Sequence, residues 1–246
     1  MHRLATLALA LLMPAAALAG ETVEYAVNGE AFSGYRATAS GQSKGLVLVI
    51  HDWDGLTDYE VKRADMLAAM GYDAFAVDLY GKGNRPVETG AKKAETGKLY
   101  QNRERMRALI LGGLAEARKG GTQQTVVMGY CFGGAATLEL ARSGKASDIA
   151  GYASFHGGLK TPAGQSYAAD TAPILVAHGG ADTAITMDQV ADLAVELEAA
   201  GVTYEIEIYS GAPHAFTVFG SSRYREVADR KSWDAFSEFL ETNLGG

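Results

Sequence analysis

The segment Gly129-Tyr130-Cys131-Phe132-Gly133-Gly134 sets the chain's one cysteine between glycines two positions away on either side. It follows an apolar run at 125–128 and precedes a helical pattern, so it reads as a sharp strand-to-helix turn, the G-x-C-x-G form of a nucleophile elbow. Such a turn strains its central residue and crowds the positions two away, which glycine relieves. It would expose the sulfur, and the helix N-terminus behind it would draw the thiol toward thiolate. A thiol nucleophile also needs a base, and the base needs an orienting partner. Two downstream segments offer these groups: His178-Gly179-Gly180-Ala181-Asp182 after a run at 174–178, and Gly211-Ala212-Pro213-His214-Ala215-Phe216 after a run at 203–209. His214 would take the thiol proton, while Asp182 would fix the ring's tautomer and stabilise the imidazolium.

Five histidines compete for the role of base. His2 lies in an N-terminal segment read below as a leader. His51, His156 and His178 each follow a strand, but none has His214's placement in a loop after the last one; they are expected to shape the pocket through hydrogen bonds. No H-x-x-x-H or paired-cysteine spacing occurs, so no metal is expected. Trp53, Tyr80 and Phe216 are candidates for an apolar wall around an acyl group or ring, and each is equally open to a packing role. Residues 82–107 hold eight of the 22 Lys and Arg against three acids, enough to draw anionic substrates or simply to solvate a helix face.

The elements that must position these groups alternate. Continuous aliphatic runs predict strands at 45–50, 72–77, 125–128, 149–155, 174–178 and 203–209. Helical patterns fall between them at 59–70, 91–118, 133–142, 188–200 and 224–243; in the fourth, Val190, Leu193, Ala194 and Leu197 make an apolar stripe. Alternation of this kind predicts an α/β fold, a mostly parallel sheet with helices on both faces. Segments 22–27 and 32–37, on either side of Asn28-Gly29, read as an N-terminal antiparallel strand pair. Ligands of such sheets bind beyond the carboxyl ends of the strands, where the unusual residues fall.

With 48% hydrophobic and 21% charged residues among 246, the composition excludes disordered, collagen-like and coiled-coil readings. A formal charge of −7 disfavours nucleic acid or an anionic membrane surface as the main partner. One cysteine can form neither an internal disulfide nor a thiolate zinc cage. Arg3, the apolar run 4–13, Pro14 and Ala17-Leu18-Ala19 together resemble a cleavable secretion signal, so residues 1–19 are expected to be removed and 20–246 to form one domain in the periplasm or outside the cell. No membrane span is expected after that removal.

The elbow, Asp182 and the Gly211–Phe216 segment resemble the dienelactone hydrolase family of α/β-hydrolases, as do Val77-Asp78-Leu79-Tyr80-Gly81 and His51-Asp52-Trp53-Asp54-Gly55-Leu56. The order nucleophile, acid, histidine is that of the superfamily. The resemblance implies a Cys131-His214-Asp182 triad that cleaves carboxylic esters or lactones without a cofactor. It also implies an oxyanion hole made by the backbone N–H groups of Trp53 and Phe132. Three positions depart from the family: Asp52 stands for a glutamate that touches the resting thiol, with Asp54 as its rival, while Lys82 and Val218 replace two arginines that hold a substrate carboxylate. Arg223 and Arg225 either restore that charge or are ordinary surface residues. The reading is an exported ester or lactone hydrolase acting as a monomer on a small molecule through an acyl-thioenzyme. The alternatives are a thioesterase or acyl transferase with the same triad, and a non-catalytic thiol redox or binding protein on a hydrolase scaffold.

Overall fold

The protein is described here by a computed structural model covering residues 20–122 and 124–245. The expected leader, residues 1–19, lies outside the described residues.

Strand β1 (Glu21–Val27) turns back into β2 (Glu30–Ala37) through Asn28 and Gly29, whose φ values of 51° and 82° give the left-handed two-residue turn that an Asn-Gly pair favours. The sheet continues with β3 (Leu46–Ile50), β4 (Asp73–Val77), β5 (Thr125–Tyr130), β6 (Ile149–Phe155), β7 (Ile174–Gly179) and β8 (Tyr204–Tyr209). Its order is β1-β2-β4-β3-β5-β6-β7-β8; the pairs β1–β2 and β2–β4 are antiparallel and every later pair is parallel. Both faces are covered, as a parallel sheet requires. Leu46, Leu48 and Ile50 point to the face covered by α3 (Arg103–Ala117), α4 (Phe132–Ser143) and α5 (Met187–Ala200). Val47 and Val49 point to the face covered by α1 (Asp58–Ala69) and α6 (Glu226–Leu244). All five residues of β3 are buried, which explains an uninterrupted aliphatic run where a half-exposed strand would alternate.

The helix expected over 91–118 is two helices, α2 (Thr89–Gln101) and α3. Asn102 separates them at φ −127°, ψ 75°, and its side chain accepts the N–H of Arg105, so it serves as the N-cap of α3. An asparagine competes with helical backbone hydrogen bonds in this way, and here that competition wins over the continuous pattern. Among the described residues no helix is long and apolar enough to cross a membrane.

The face carrying α1 and α6 is fastened by a charge. Arg63 of α1 is 1% exposed, and its guanidinium pairs with Asp229 of α6 and donates to Thr217 O at 3.0 Å. Removing one partner of such a pair strands the other's charge in the core. Arg63→Met is therefore expected to lower the unfolding free energy by about 3–5 kcal/mol in urea titrations, with an unchanged m-value. A loss under about 1 kcal/mol would contradict this account of the pair.

Candidate active site

Strand β5 ends at Tyr130 and α4 begins at Phe132, which leaves Cys131 to make the whole turn at φ 49°, ψ −108°. The flanking glycines are required by close approach. A Cβ at Gly133 would stand 2.3 Å from the Ile50 carbonyl oxygen, and one at Gly129 would stand 2.3 Å from the carbonyl of Gly133. Both obstacles are backbone in the middle of the fold and cannot yield. The Cys131 N–H donates to Phe155 O at 3.0 Å and ties the turn to β6. The residue is partly exposed at the carboxyl end of the sheet.

Strands β7 and β8 deliver the other two groups to the same edge. Asp182 follows β7, His214 follows β8, and His214 Nδ1 donates to Asp182 Oδ2 at 2.8 Å. His214 Nε2 stands 3.1 Å from Cys131 Sγ. The second carboxylate oxygen of Asp182 accepts the N–H groups of Ala184 at 2.8 Å and Ile185 at 2.9 Å. Burial pushes the Asp182 carboxyl up, but these hydrogen bonds and the His214 charge outweigh it and leave the pKa below the usual value. An ionised Asp182 fixes the proton on Nδ1, so the Nε2 lone pair faces the thiol. The three groups expected to act together are thus brought within hydrogen-bond reach.

Contrary to the expectation of an activated thiolate, the thiol is pushed well above its usual pKa, first by burial and then by the charge and hydrogen bond of Asp52; the Phe132 N–H lowers it without offsetting them. The helix terminus is present, but a carboxylate is set against the same sulfur. Asp52 is itself pushed up to about 6, mainly by burial. Its own N–H donates to Glu60 Oε1 at 3.2 Å, and its Oδ1 accepts the N–H of Trp53 at 2.5 Å. Asp54 turns instead to Lys92, 3.3 Å away, so Asp52 is the acid on the thiol. Of the two expected oxyanion donors, the Phe132 N–H lies by the sulfur and the Trp53 N–H is held by Asp52.

Tyr80 is half-buried against the rings of His51 and Phe132, with its hydroxyl donating to Trp53 O at 3.1 Å, so it props the segment carrying Asp52 and Trp53. Two residues expected beside the substrate lie elsewhere. The ammonium of Lys82 is drawn to Glu24 of β1 at 2.6 Å, in an exposed pair. Phe216 is fully buried against the rings of His156 and Tyr209, because Ala215 at φ 61° reverses the chain after His214 and sends the next side chain into the core. The basic segment is largely paired, with Arg85 on Asp78, Lys98 on Glu95, Arg105 on Glu30, and Arg103 and Arg107 on Glu139. Arg225 donates to the carbonyls of Ser222 and Tyr224 in its own loop, as an ordinary surface residue does.

Of the remaining histidines, His51 has Nδ1 2.6 Å from Asp52 O and accepts the Leu79 N–H, and His156 Nε2 meets Thr217 Oγ1 at 2.8 Å. His178 is buried beside the loop that carries Asp182, with the Ile185 backbone and the Asp182 charge acting on its ring, so it helps shape the site from behind. Sequence reasoning did not single out one support of the site, and left the contacts of another, His156, unspecified. Glu60 is fully buried, accepts from Thr57 N and Oγ1 as well as from Asp52 N, and is pushed up to about 7, mainly by burial. Its signal was the capping box Thr57-x-x-Glu60 that opens α1. Behind His214, the His156 ring lies edge-on at 5.4 Å and is held neutral, chiefly by burial and then by the His214 charge. Thr217 Oγ1 links His156 to the Tyr59 hydroxyl at 2.7 Å, which carries the contact back to α1.

Comparison with known proteins follows the same lines. A protein of Aquifex aeolicus assigned as a carboxymethylenebutenolidase is 28% identical over 239 residues, covering 92% of this chain and 99% of that one. A Bradyrhizobium protein assigned as a 2-oxo-3-(5-oxofuran-2-ylidene)propanoate lactonase is 25% identical over 245 residues, covering 93% and 96%. The crystal structure of a dienelactone hydrolase-like promiscuous phosphotriesterase from metagenomic libraries superposes with a TM-score of 0.81 at 25% identity, covering 91% of this chain and 98% of that one. The sheet order, both helix layers and the antiparallel edge are those of an α/β-hydrolase. The dienelactone hydrolase family profile matches residues 32–244. On that match, and with this fold beneath it, the chain belongs to the dienelactone hydrolase family.

Proposed function

We propose that the chain hydrolyses carboxylic esters or lactones through a covalent acyl-thioester on Cys131, with His214 as base and acid and Asp182 as its orienting partner. The observation that carries this reading is the unbroken series of contacts from sulfur to imidazole to carboxylate, at 3.1 and 2.8 Å. The family membership supports the bond type, and the two relatives are named for a carboxymethylenebutenolide and for the lactone of a 2-oxo-3-(5-oxofuran-2-ylidene)propanoate.

In the resting site the thiol proton has two acceptors in reach, His214 Nε2 and the Asp52 carboxylate. Substrate entry brings a carbonyl oxygen toward the Phe132 and Trp53 N–H groups, and Asp52 must leave the Trp53 N–H for that oxygen to be held. The proton passes from sulfur to Nε2 as the sulfur bonds to the carbonyl carbon, whose oxygen becomes an oxyanion. Two backbone donors aimed there are each worth about 2.7–4 kcal/mol in such sites. The carbon–oxygen bond to the leaving group then breaks and the imidazolium returns its proton to the departing alkoxide. Water, deprotonated by His214, attacks the thioester, releases the acid and restores the thiol. No step calls for a metal or a cofactor.

Hydrolysis of p-nitrophenyl acetate tests the reading, because the chain has one cysteine. Turnover should disappear in step with alkylation of that thiol by iodoacetamide. Undiminished turnover by fully alkylated protein would overturn the reading. Export is part of the same proposal, supported by the residue types at 1–19; N-terminal sequencing of protein from the periplasmic fraction should begin at Gly20.

Asp52→Asn isolates the resting-state carboxylate. Asp52 has a folded pKa of about 6 against an ordinary value of 3.8, so its ionised form destabilises the fold. That cost is absent below about pH 4, grows between about 4 and 6, and is complete above. The variant should gain about 1–3 kcal/mol of stability at pH 8 and nothing at pH 3.5, measured by denaturant unfolding. With the opposing charge gone, the thiol should also be alkylated roughly tenfold faster at pH 7. Equal stability at both pH values and an unchanged alkylation rate would contradict Asp52's place against the thiol.

A further inference from the structure

Beside the nucleophile lies a cavity of about 280 Å³, whose lining includes Tyr100, Arg103, Ala135, Arg142, Lys160 and Ile185. It adjoins the site on two sides. Ala135 is in the first turn of α4, its N–H bonded to Cys131 O at 3.1 Å, and Ile185 donates its N–H to Asp182. The Tyr100 ring meets Phe132 edge-on at 5.5 Å. Three of the lining residues are cations and none is an acid.

The charge beneath the cavity is unbalanced. Arg103, Arg107 and Arg142 all converge on the fully buried carboxylate of Glu139, at 2.8, 2.5 and 3.5 Å. One negative charge thus faces three positive ones, and Gln165 adds a fourth donor to the same carboxylate at 2.9 Å. Arg142 is only 3% exposed, and its remaining nitrogens are committed to Gln165 and the Tyr167 hydroxyl, so it is a fixed charge in the wall. Arg103 has one nitrogen on Glu139, stacks over Tyr100 at 5.4 Å and lines the cavity. Lys160 is exposed and has no ion pair among the described residues; Asp192 and Glu196, which border the adjoining groove with it, form none with it either. Like charges gathered around a cavity repel one another, and an anion placed among them relieves that repulsion.

We propose that this cavity is an anion subsite that selects esters carrying a carboxylate at the far end of the acyl chain, held by Arg103 and Lys160 over the field of Arg142. It rests on the hydrolase reading and adds the substrate class. The distance follows from the helix. Arg142 stands eleven residues beyond Cys131 on α4, roughly 16 Å of rise at 1.5 Å per residue, and its long side chain leans back toward the helix N-terminus, so the anion belongs roughly 10 Å from the thiol. A compact lactone whose carboxylate adjoins the ring is too short to reach both places.

Mono-p-nitrophenyl suberate and its neutral methyl ester test the subsite, with p-nitrophenyl acetate as the control for the chemistry. The suberate should exceed the methyl ester in kcat/KM by about tenfold at low ionic strength, and the preference should shrink with added salt. In Lys160→Gln and Arg103→Gln the ratio should fall toward one. Each is read as a ratio within one variant, so a general loss of folding or turnover cancels. A wild-type ratio of one or less overturns the subsite while acetate turnover leaves the hydrolase reading standing. A high ratio that survives both substitutions overturns the assignment to these residues. Failure to hydrolyse any of the three esters, acetate included, removes the underlying reading and the subsite with it.

Discussion

Replacement of Cys131 or His214 by alanine is expected to lower kcat for p-nitrophenyl acetate by about 10⁵–10⁶-fold, with no larger loss when both are replaced. The sulfur supplies the covalent bond and the imidazole 3.1 Å away supplies both proton transfers, so neither has a function without the other. Residues that act as one unit lose their effect together, and the residual rate of either variant comes from the oxyanion donors and binding alone. Both side chains lie beyond the carboxyl ends of the strands and outside the main apolar clusters, so the variants should unfold within about 1 kcal/mol of the wild type. Turnover above about 1% of wild type in either folded variant would contradict the roles assigned to them.

Asp182→Asn is expected to cost about 10⁴-fold, for a reason visible in the hydrogen bonds. The Ala184 and Ile185 N–H groups would keep the amide oxygen of the new residue in the place of Oδ1. Its NH₂ would then face His214 Nδ1 where Oδ2 stands 2.8 Å away. A donor there makes Nδ1 an acceptor and moves the ring proton to Nε2, which can no longer take the thiol proton. The geometry would survive while the tautomer would not. A loss under tenfold would mean that the carboxylate does not set the tautomer.

Much of this was legible because its signals are local. The elbow glycines flank Cys131, the residues after β7 and β8 are contiguous in sequence, and the buried strands are uninterrupted runs. What escaped the sequence depends on contacts between distant segments. Whether Asp52 or Asp54 meets the thiol is decided by Glu60 of α1, which accepts the Asp52 N–H, and by Lys92 of α2, which draws Asp54 toward itself. Lys82 is claimed by Glu24, 58 positions earlier, through the hairpin that joins the sheet at β4. Phe216 sits two residues from the histidine, yet a single left-handed residue at 215 turns it inward. The upward push on the thiol pKa combines burial with a nonlocal carboxylate, neither of which is visible from the elbow and its helix terminus. The break at Asn102 was within reach, since asparagine is a strong N-cap, but the flanking pattern ran through it.

The sharpest test is a rapid-quench mass measurement of the protein mixed with a slowly deacylating p-nitrophenyl ester. The account predicts one acyl adduct, confined to the peptide containing Cys131, formed as p-nitrophenolate is released and discharged by hydroxylamine. Steady turnover with the acyl group on another residue, or with free Cys131 throughout the burst, would contradict it.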